Sequence, residues 1–313
     1  MKSTSDAHRD PALERTLLQA LKGTRIGHPL YAFKSVSSTM DVARRVMIED
    51  AAPEGTLIWA ATQKRGRGRL GRVWASPQGG IYCSIILRPS RCPLEIPQLA
   101  LVAGLSSAKA IHEATGLFPS IRWPNDILLH QRKVCGILVE AVSGAAIVGI
   151  GINVTTHPED LPENALSLAS GLLKKPRDTQ AAQKGADARR SSIWLKRRTG
   201  RYADEAVRQA TQQMRLFQQP ARVGAQVDPC ALTGVLCRHF DVWYDLWSAQ
   251  GFASLRESLR SWMAGMGEPV QITAGSTKTS GITSDVDESG RLLVRLDSGL
   301  VQAFEMGEVT LLR

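Results

Sequence analysis

The chain has 313 residues, of which 43% are hydrophobic and 22% charged, so it can bury the core of a globular protein without disulfide staples. Its five cysteines are scattered and form no C-x-x-C pair, which argues against a disulfide framework or a zinc knuckle and favours a reducing compartment. No apolar run approaches the ~18 residues of a membrane span. Residues 1–30 contain no signal-peptide core. We therefore expect a cytoplasmic protein that contacts no membrane.

The formal net charge of +10 is concentrated in one polar tract. Eleven lysines and arginines stand against four acidic residues between Gly171 and Ala210. A basic tract is typical of nucleic-acid-binding proteins, and that class stays open as an alternative. Such proteins also present exposed aromatic rings for stacking. Trp194 is the only aromatic residue between Gly171 and Gly200, so the sequence supports this alternative weakly.

The N-terminal two thirds of the chain alternates predicted helices and strands. Helical spacing and capping residues predict three helices, at Pro11–Leu21, Met40–Glu49 after Ser37-Ser38-Thr39, and Leu94–Thr115 before Gly116. Apolar runs predict five strands, at Leu57–Thr62, Ile81–Leu87, Ile121–Trp123, Lys133–Val142 and Ala145–Val154. The last two are separated by Ser143-Gly144, which predicts a hairpin.

Residues 171–229 lose apolar periodicity and are predicted to form a basic, mobile insertion, with one helix at Tyr202–Phe217. Ala231–Met263 is amphipathic and predicts a long helical region, broken at Gly251. Short strands with turn residues between them predict a small all-β module. They lie at Pro269–Thr273, Thr279–Ser284, Leu292–Leu296, Gln302–Phe304 and Val309–Leu312.

These elements predict an α+β protein. A short extension, 1–35, precedes a catalytic domain at 36–265, in which helices flank a mixed β-sheet and from which 171–229 projects as the insertion. A small SH3-like β-barrel is expected at 266–313.

The strongest local signal lies at residues 64–72, where five of nine residues are basic and three are glycines. Glycines let backbone N–H groups approach an anion, and arginines supply charge with forked donors. The segment, which we call the glycine-arginine loop (64–74), therefore predicts a phosphate-bearing ligand. It is not a Walker loop, since no Gly-Lys-Ser/Thr ends it. A solvated basic turn, or an RGG-like nucleic-acid segment, is the alternative.

A second signal is Trp123-Pro124-Asn125-Asp126, which places two polar groups where a strand ends. Asp126 beside an arginine-rich loop is a candidate to hold Mg²⁺ or accept a proton. Lys133, at the start of the next strand and near Gly136, can reach an anionic ligand. An Asn-Asp surface turn and an ordinary hairpin lysine are the structural alternatives.

A third signal is the strict alternation in Gly149-Ile150-Gly151-Ile152-Asn153. It places two glycines and Asn153 on one face of a strand, where a flat ligand can approach or a neighbouring element can pack. No metal-spaced histidine pair and no Gly-x-Ser-x-Gly elbow occurs in the sequence. We therefore expect chemistry by positioned charge, without a covalent enzyme intermediate.

Together and in this order, these segments resemble the bacterial biotin protein ligases, also called biotin–acetyl-CoA-carboxylase ligases. The matching residues are Ser37-Ser38-Thr39, Gln63, Gly66-Arg67-Gly68-Arg69-x-Gly71-Arg72-x-Trp74, Ser76-Pro77, Trp123-Pro124-Asn125-Asp126, Lys133-x-x-Gly136-Ile137-Leu138-x-Glu140, Gly149-Ile150-Gly151-Ile152-Asn153 and Gly307-Glu308-Val309. Some members begin with a winged-helix repressor domain. Since 36 residues precede Ser37, we expect the short form of the ligase, without sequence-specific DNA binding.

The resemblance implies ATP and biotin as substrates, Mg²⁺ as the metal ion and a biotin carboxyl carrier protein as the partner. Biotin would be activated as biotinyl-5′-AMP and then transferred to a carrier lysine. A lipoate or octanoate ligase of the same superfamily is the nearest alternative, but it should lack the Arg-Gly-Arg-x-Gly-Arg-x-Trp pattern. The sequence leaves a homodimer open.

The resemblance also implies residue roles. Biotin contacts fall on Ser37, Ser38, Thr39, Gln63, Gly66, Arg67, Lys133 and Gly136. Contacts to ATP or the adenylate fall on Arg69, Arg72, Trp74, Asn125, Asn153 and Arg313. Catalytic roles fall on Arg69, Lys133 and Asp126, and Asp126 also serves Mg²⁺ through phosphate.

Three positions depart from the family pattern. Met40 stands where the family usually has asparagine, which removes a polar group beside the expected biotin contacts. Arg122 replaces the usual lysine and keeps the charge. Arg313 comes one residue later than the usual C-terminal arginine.

Overall fold

The computed structural model describes residues 8–173 and 227–312. Its helices are α1 (Pro11–Ala20), α2 (Thr39–Glu49), α3 (Leu99–Thr115), α4 (Leu168–Leu173), α5 (Pro229–Gln250) and α6 (Arg256–Arg260). Its strands are β1 (Leu30–Val36), β2 (Leu57–Gln63), β3 (Gly80–Leu87), β4 (Ser120–Arg122), β5 (Asp126–Leu129), β6 (Arg132–Val142), β7 (Ala145–Asn153), β8 (Pro269–Ala274), β9 (Thr277–Val286), β10 (Leu292–Arg295), β11 (Val301–Phe304) and β12 (Glu308–Leu311). The helix predicted at Tyr202–Phe217 and the terminal Arg313 lie outside the described residues.

The larger sheet has seven strands in the order β1-β2-β3-β7-β6-β5-β4. β1 and β2 are parallel, and every other neighbouring pair is antiparallel. One face packs with α1, α3 and α5 in the main hydrophobic core, and the other face packs with α2 in a second cluster. The mixed sheet flanked by helices is therefore confirmed.

Local signals in the sequence account for several element ends. Gly116 adopts the left-handed conformation that ends α3, with φ of 70°. Ser143 and Gly144 both have positive φ, as a two-residue hairpin between β6 and β7 requires. Ser38 occupies the N-cap of α2, but its side chain makes no capping hydrogen bond.

Two strands of the large sheet were not predicted from the sequence. β1 is an edge strand in which an exposed Lys34 interrupts the apolar run. β5 has four residues, too few to show a period. The predicted helix at Leu94–Thr115 also begins with a 3₁₀ segment, Pro93–Gln98, because Pro97 cannot donate a helical hydrogen bond.

The C-terminal unit is an antiparallel sheet in the order β11-β10-β9-β8-β12. All five predicted strands are present, and their bounds differ from the prediction by at most two residues. Within the described residues β11 and β12 are the edges of the sheet and do not pair with each other. The antiparallel sheet is thus confirmed, and a closed barrel is not observed.

The two sheets share one continuous hydrophobic core. The Trp123 indole Nε1 donates to the carbonyl oxygen of Gly290 at 3.0 Å. The backbone of Ile121 exchanges hydrogen bonds with Trp262 and Ala264, which lead into the small sheet. These contacts anchor the segment that carries Asn125 and Asp126. No helix in the described ranges has both the length and the apolar character needed to cross a bilayer.

Gly234 in α5 provides a test of this packing. A Cβ atom there would clash with the backbone oxygen of Ala20 at the end of α1. Alanine normally favours a helix over glycine by about 1 kcal/mol, but the backbone oxygen cannot move away cheaply. We expect Gly234→Ala to lower the free energy of unfolding by about 1–3 kcal/mol, measured as a lower urea midpoint.

The control is Ala231→Gly, the reverse exchange at an exposed position of the same helix. It should cost no more than about 1 kcal/mol. A raised urea midpoint for Gly234→Ala would show that α1 and α5 are not packed this closely.

Candidate active site

A cleft opens between the start of α2, the glycine-arginine loop, the turn between β4 and β5, and the strands β6 and β7. Its lining residues are Ser38, Thr39, Met40, Gln63, Arg67, Gly68, Arg69, Trp74, Cys83, Asn125, Lys133, Gly136, Ile137, Leu138, Gly149, Ile150 and Gly151. The cleft therefore gathers residues from all three sequence signals.

The α2 end of the cleft is built from fixed polar groups. The Gln63 carboxamide oxygen accepts from the Thr39 backbone N–H at 2.8 Å and from its hydroxyl at 3.1 Å. The Gln63 Nε2 donates to Ser76 Oγ at 2.8 Å, and Ser84 Oγ donates to Thr39 Oγ1 at 2.9 Å. Ser38 Oγ is buried and has no hydrogen-bond partner among the described residues. Because a buried hydroxyl without a partner is costly, Ser38 is ready to bind a polar ligand atom.

Asp126 organises the cations near the β5 end of the cleft. Its two oxygens lie 2.6 Å from Lys133 Nζ and 2.7 Å from Arg122 Nη2. Lys133 Nζ also lies 5.2 Å from the centre of the Trp74 ring. The structure thus brings together Asp126 and Lys133, which the sequence had assigned catalytic roles, and adds Arg122 as a second cation.

Arg69 and Asn125 connect the glycine-arginine loop to this cluster. Arg69 Nη1 donates to Asn125 Oδ1 at 2.7 Å. Burial lowers the pKa of the Arg69 guanidinium, and the nearby Asp126 partly offsets this effect. Three cations, Arg69, Arg122 and Lys133, therefore surround one carboxylate. This excess of positive charge favours an anionic ligand.

The glycine-arginine loop forms a narrow hairpin. Trp74 N–H donates to Gly66 O at 2.9 Å, and Gly68 N–H donates to Arg72 O at 2.7 Å. A Cβ atom on Gly66 would clash with the Trp74 carbonyl and lie 2.5 Å from Ser76 Oγ, so only glycine fits there. Gly66 is outside the cleft lining in this structure, and its role there is to close the hairpin.

Two arginines of the loop are held by carboxylates to which the sequence analysis assigned no role. Arg67 Nη2 lies 2.9 Å from Asp41 and 3.5 Å from Glu140. Arg72 Nη2 donates to Glu308 of β12 at 2.8 Å. The loop is therefore braced on one side by α2 and β6, and on the other by the C-terminal sheet.

The glycine face of β7 is occupied by side chains of the same protein. Trp74 lies over Gly151 and Gly136, where a Cβ atom at Gly136 would be 2.8 Å from the indole ring. Met40 lies over Gly149. The Trp74 indole N–H is buried and has no hydrogen-bond partner among the described residues. In this structure, the glycines give room to Trp74 and Met40.

Some predicted site residues, Asp126 among them, lie outside the cleft lining. Ser37 is exposed, and Arg72 faces Glu308. Asn153 is buried at the end of β7, where its Nδ2 donates to Leu166 O at 3.3 Å and its Oδ1 has no partner in the described ranges. Arg313 is outside the described residues. Their assigned ligand contacts stay predictions.

Sequence reasoning assigned no role to four residues that hold cleft residues in place through hydrogen bonds or ion pairs. They are Asp41, Ser84, Glu140 and Glu308. Glu140 and Glu308 both belong to segments on which the family resemblance rests, and that was the available signal. Asp41 and Ser84 carried no signal, since their partners Arg67 and Thr39 are brought near by folding.

The pocket thiol is not a nucleophile. Burial raises the pKa of Cys83 to about 12, and it does the same for the neighbouring Cys135. Both thiols are therefore neutral at physiological pH. No cluster of three metal-ligating side chains occurs in the described part of the chain. The cleft can bind an anion beside an uncharged polar group, and its chemistry depends on fixed charge.

The chain matches the model of the Biotin/lipoate A/B protein ligase family over residues 32–156 and the model of the Biotin protein ligase C terminal domain over residues 265–312. The first match contains the whole cleft, and the second contains the small sheet. Residues 32–156 therefore match the biotin/lipoate A/B protein ligase family, and residues 265–312 match the domain with which biotin protein ligases end.

Three relatives illustrate the similarity. The bifunctional ligase/repressor BirA of Bacillus subtilis is 40% identical over 49% of this chain and 48% of its own length. The biotin–[acetyl-CoA-carboxylase] ligase of Paracoccus denitrificans is 29% identical over 77% of this chain and 85% of its own. A solved structure of the Aquifex aeolicus biotin protein ligase, in complex with biotin and ATP, superposes with a TM-score of 0.66 at 27% identity, covering 91% of this chain and 98% of that one. The chain thus spans about half the length of the Bacillus relative that it matches.

The buried thiols give a chemical test of the site. An ordinary cysteine has a pKa of about 8.5 and is partly ionised at pH 8. Since the pKa of Cys83 is about 12, its thiol stays neutral at that pH. Iodoacetamide at pH 8 should modify the exposed Cys92 in the folded protein and leave Cys83 and Cys135 unmodified. Peptide mass mapping measures the modification of each cysteine. Unfolding in urea should make Cys83 and Cys135 as reactive as Cys92. Rapid modification of Cys83 in the folded protein would contradict the described burial.

Proposed function

We propose that this protein activates biotin with ATP to form biotinyl-5′-AMP and then transfers the biotin to a lysine of a biotin carboxyl carrier protein. The observation that carries the proposal is the polarity of one cleft. It has the unpartnered Ser38 hydroxyl beside Gln63 at the α2 end, and a surplus of positive charge around Asp126 near the β5 end. Biotin has the complementary polarity, with a neutral ureido group at one end and a carboxylate at the other.

The α2 end of the cleft suits the neutral ring system. Ser38 Oγ can both donate and accept a hydrogen bond, which matches the N–H and C=O groups of a ureido ring. Thr39 and Gln63 are already oriented by each other and by Ser84. Ile137, Leu138 and the Trp74 and Met40 side chains that cover the glycine face supply apolar walls for the rest of the ligand.

The cation cluster suits the reaction itself. The biotin carboxylate must attack the α-phosphorus of ATP, and both groups are anionic. Lys133 and Arg69 can neutralise this repulsion as the new C–O–P linkage forms and the bond to pyrophosphate breaks. In the second step a carrier lysine attacks the carbonyl carbon of the mixed anhydride, an amide forms and AMP leaves. Asp126 holds Lys133 in place during the first step, and it is our candidate to receive the proton of the incoming amine in the second.

Mg²⁺ is proposed to enter with ATP. Both oxygens of Asp126 are engaged by Lys133 and Arg122, so a metal bound directly to this carboxylate would have to displace a cation. Phosphate oxygens of ATP can ligate Mg²⁺ without that cost, and Mg²⁺ commonly binds in this way. Asp126 would then act on the Mg²⁺ ion indirectly, through the phosphate group that binds the ion.

The same proposal extends to the organisation of the chain. We assign residues 36–265 to the catalytic domain, with 171–229 as its insertion, and 266–313 to a unit of the SH3-like barrel type. The strand order β11-β10-β9-β8-β12 supports that type, because β12 returns beside β8 after a four-strand meander. We place the reaction in the cytoplasm, where ATP and the carrier protein meet.

Mass spectrometry of a carrier domain incubated with the protein and Mg-ATP tests which carboxylic acid the protein activates. Separate incubations contain biotin, lipoate and octanoate. We expect a mass gain with biotin alone, since the ring end of the cleft offers hydrogen-bonding groups that lipoate and octanoate cannot satisfy. A gain with lipoate or octanoate instead of biotin would overturn the assignment.

Replacing Arg69 and replacing Lys133 should impair different steps of the reaction. Arg69 belongs to a loop that lines the cleft, and its guanidinium should retain the reactive adenylate. Its loss removes a charge-assisted contact of about 1.5–3 kcal/mol. Arg69→Gly should therefore release biotinyl-AMP roughly ten- to a hundred-fold faster and label bystander lysines. Lys133 is on β6, and Lys133→Ala should instead slow adenylate formation itself.

Arg65→Gly is the matched control, because Arg65 is an exposed arginine of the same loop outside the cleft lining. Pyrophosphate release reports adenylate formation, and labelling of an unrelated protein reports leakage. If Arg69→Gly labels the carrier alone, or Lys133→Ala forms adenylate at the normal rate, the two roles are wrong.

A further inference from the structure

Met40 lines the cleft but has no role in the proposed reaction. It is the second residue of α2, its side chain is 3% exposed, and it lines the cleft next to Ser38 and Thr39. It also belongs to the hydrophobic cluster that packs α2 on the large sheet. Met40 is therefore both a packed core residue and part of the cleft wall.

The thioether of Met40 fills the space that a side chain at Gly149 would take. A Cβ atom at Gly149 would lie 2.7 Å from Met40 Sδ and 3.3 Å from Met40 Cγ. Ordinary carbon contacts begin near 3.5 Å, so even one methyl group at position 149 must displace the sulfur. The position of the Met40 side chain therefore depends on glycine at 149.

The register of β7 places this contact at the ring end of the cleft. Gly151 lies two residues further along the same face, about 6–7 Å away, and it accommodates Trp74 beside Lys133. Gly149 faces Met40 instead, next to the polar group of Ser38, Thr39 and Gln63. Gly151 thus lies at the end of the cleft that holds the cations, and Gly149 lies at the end that holds Met40.

We propose that Met40 and Gly149 together set the depth of the ring end of the biotin site, and so determine which ring systems the enzyme admits. This inference rests on the proposed function. It assigns a specificity role to an apolar side chain through its shape, and it accounts for the glycine at 149 as the residue that lets Met40 sit back from the ligand.

Enlarging the site should broaden its specificity. Met40→Ala removes three heavy atoms beside the ring and should admit a biotin analogue with one methyl group on a ureido nitrogen. Since one methylene in an apolar pocket changes kcat/KM by about 10–200-fold, the ratio of kcat/KM for methylated over parent biotin should rise at least about tenfold. Met47→Ala is the matched control, because Met47 is buried on the same helix but does not line the cleft. Its ratio should equal that of the wild type.

Shrinking the site should do the opposite. Gly149→Ala pushes the thioether into the cleft, so KM for biotin should rise at least about tenfold, with little change in the rate of transfer from preformed adenylate. The double variant Gly149→Ala/Met40→Ala should return KM for biotin to within a few-fold of Met40→Ala, because the clashing atoms are gone. Such non-additivity is the signature of direct contact between the two positions.

Biotin-dependent ATP–pyrophosphate exchange is measured for every variant, with thermal melting to establish folding. If the wild type shows no exchange with biotin, the proposed function fails. If it does, the inference is overturned when Met40→Ala leaves the selectivity ratio unchanged or when the double variant is no better than Gly149→Ala. Should Gly149→Ala not fold, the Met40→Ala and Met47→Ala comparison decides alone.

Discussion

The ion cluster around Asp126 is the interaction on which the rest of the site depends. β4 and β5 place Arg122 directly opposite Asp126, and β6 places Gly136 opposite Asp126 on its other side. Because Gly136 has no side chain, Lys133 can turn back over it, and a Cβ atom there would lie 3.2 Å from Lys133 Nζ. One short hairpin and one glycine therefore position the lysine that an anionic substrate would meet.

The glycine-arginine loop is connected to that cluster through Asn125, and the C-terminal sheet is connected to it through Trp123 and Arg72. Its side-chain oxygen accepts from Arg69, while its backbone and Nδ2 bond to the backbone of Ile137 in β6. Trp123, just before it, is tied to Gly290, and Arg72 of the loop is tied to Glu308. The small sheet thus supports the cleft from outside, although none of its residues lines it.

The sequence was informative where a local pattern has a local cause. Alternating glycines on β7, the hairpin at Ser143-Gly144 and the basic loop were all predicted, because period and composition determine them. It was silent where partners are distant along the chain. Arg67 pairs with Asp41 and Glu140, and the loop meets Glu308, contacts that only folding creates. The glycine face was predicted without its occupants, since nothing in the sequence indicates which side chains come to cover it.

The central claim is that the cation cluster brings a carboxylate to the α-phosphorus of ATP, and oxygen labelling tests it most directly. Biotin with ¹⁸O in its carboxylate is turned over with Mg-ATP and carrier, and the phosphorus products are analysed by ³¹P NMR. If the carboxylate attacks the α-phosphorus and the amine later cleaves the C–O bond, AMP carries one ¹⁸O and pyrophosphate none. Label in pyrophosphate or inorganic phosphate, or unlabelled AMP after full transfer, would contradict the account.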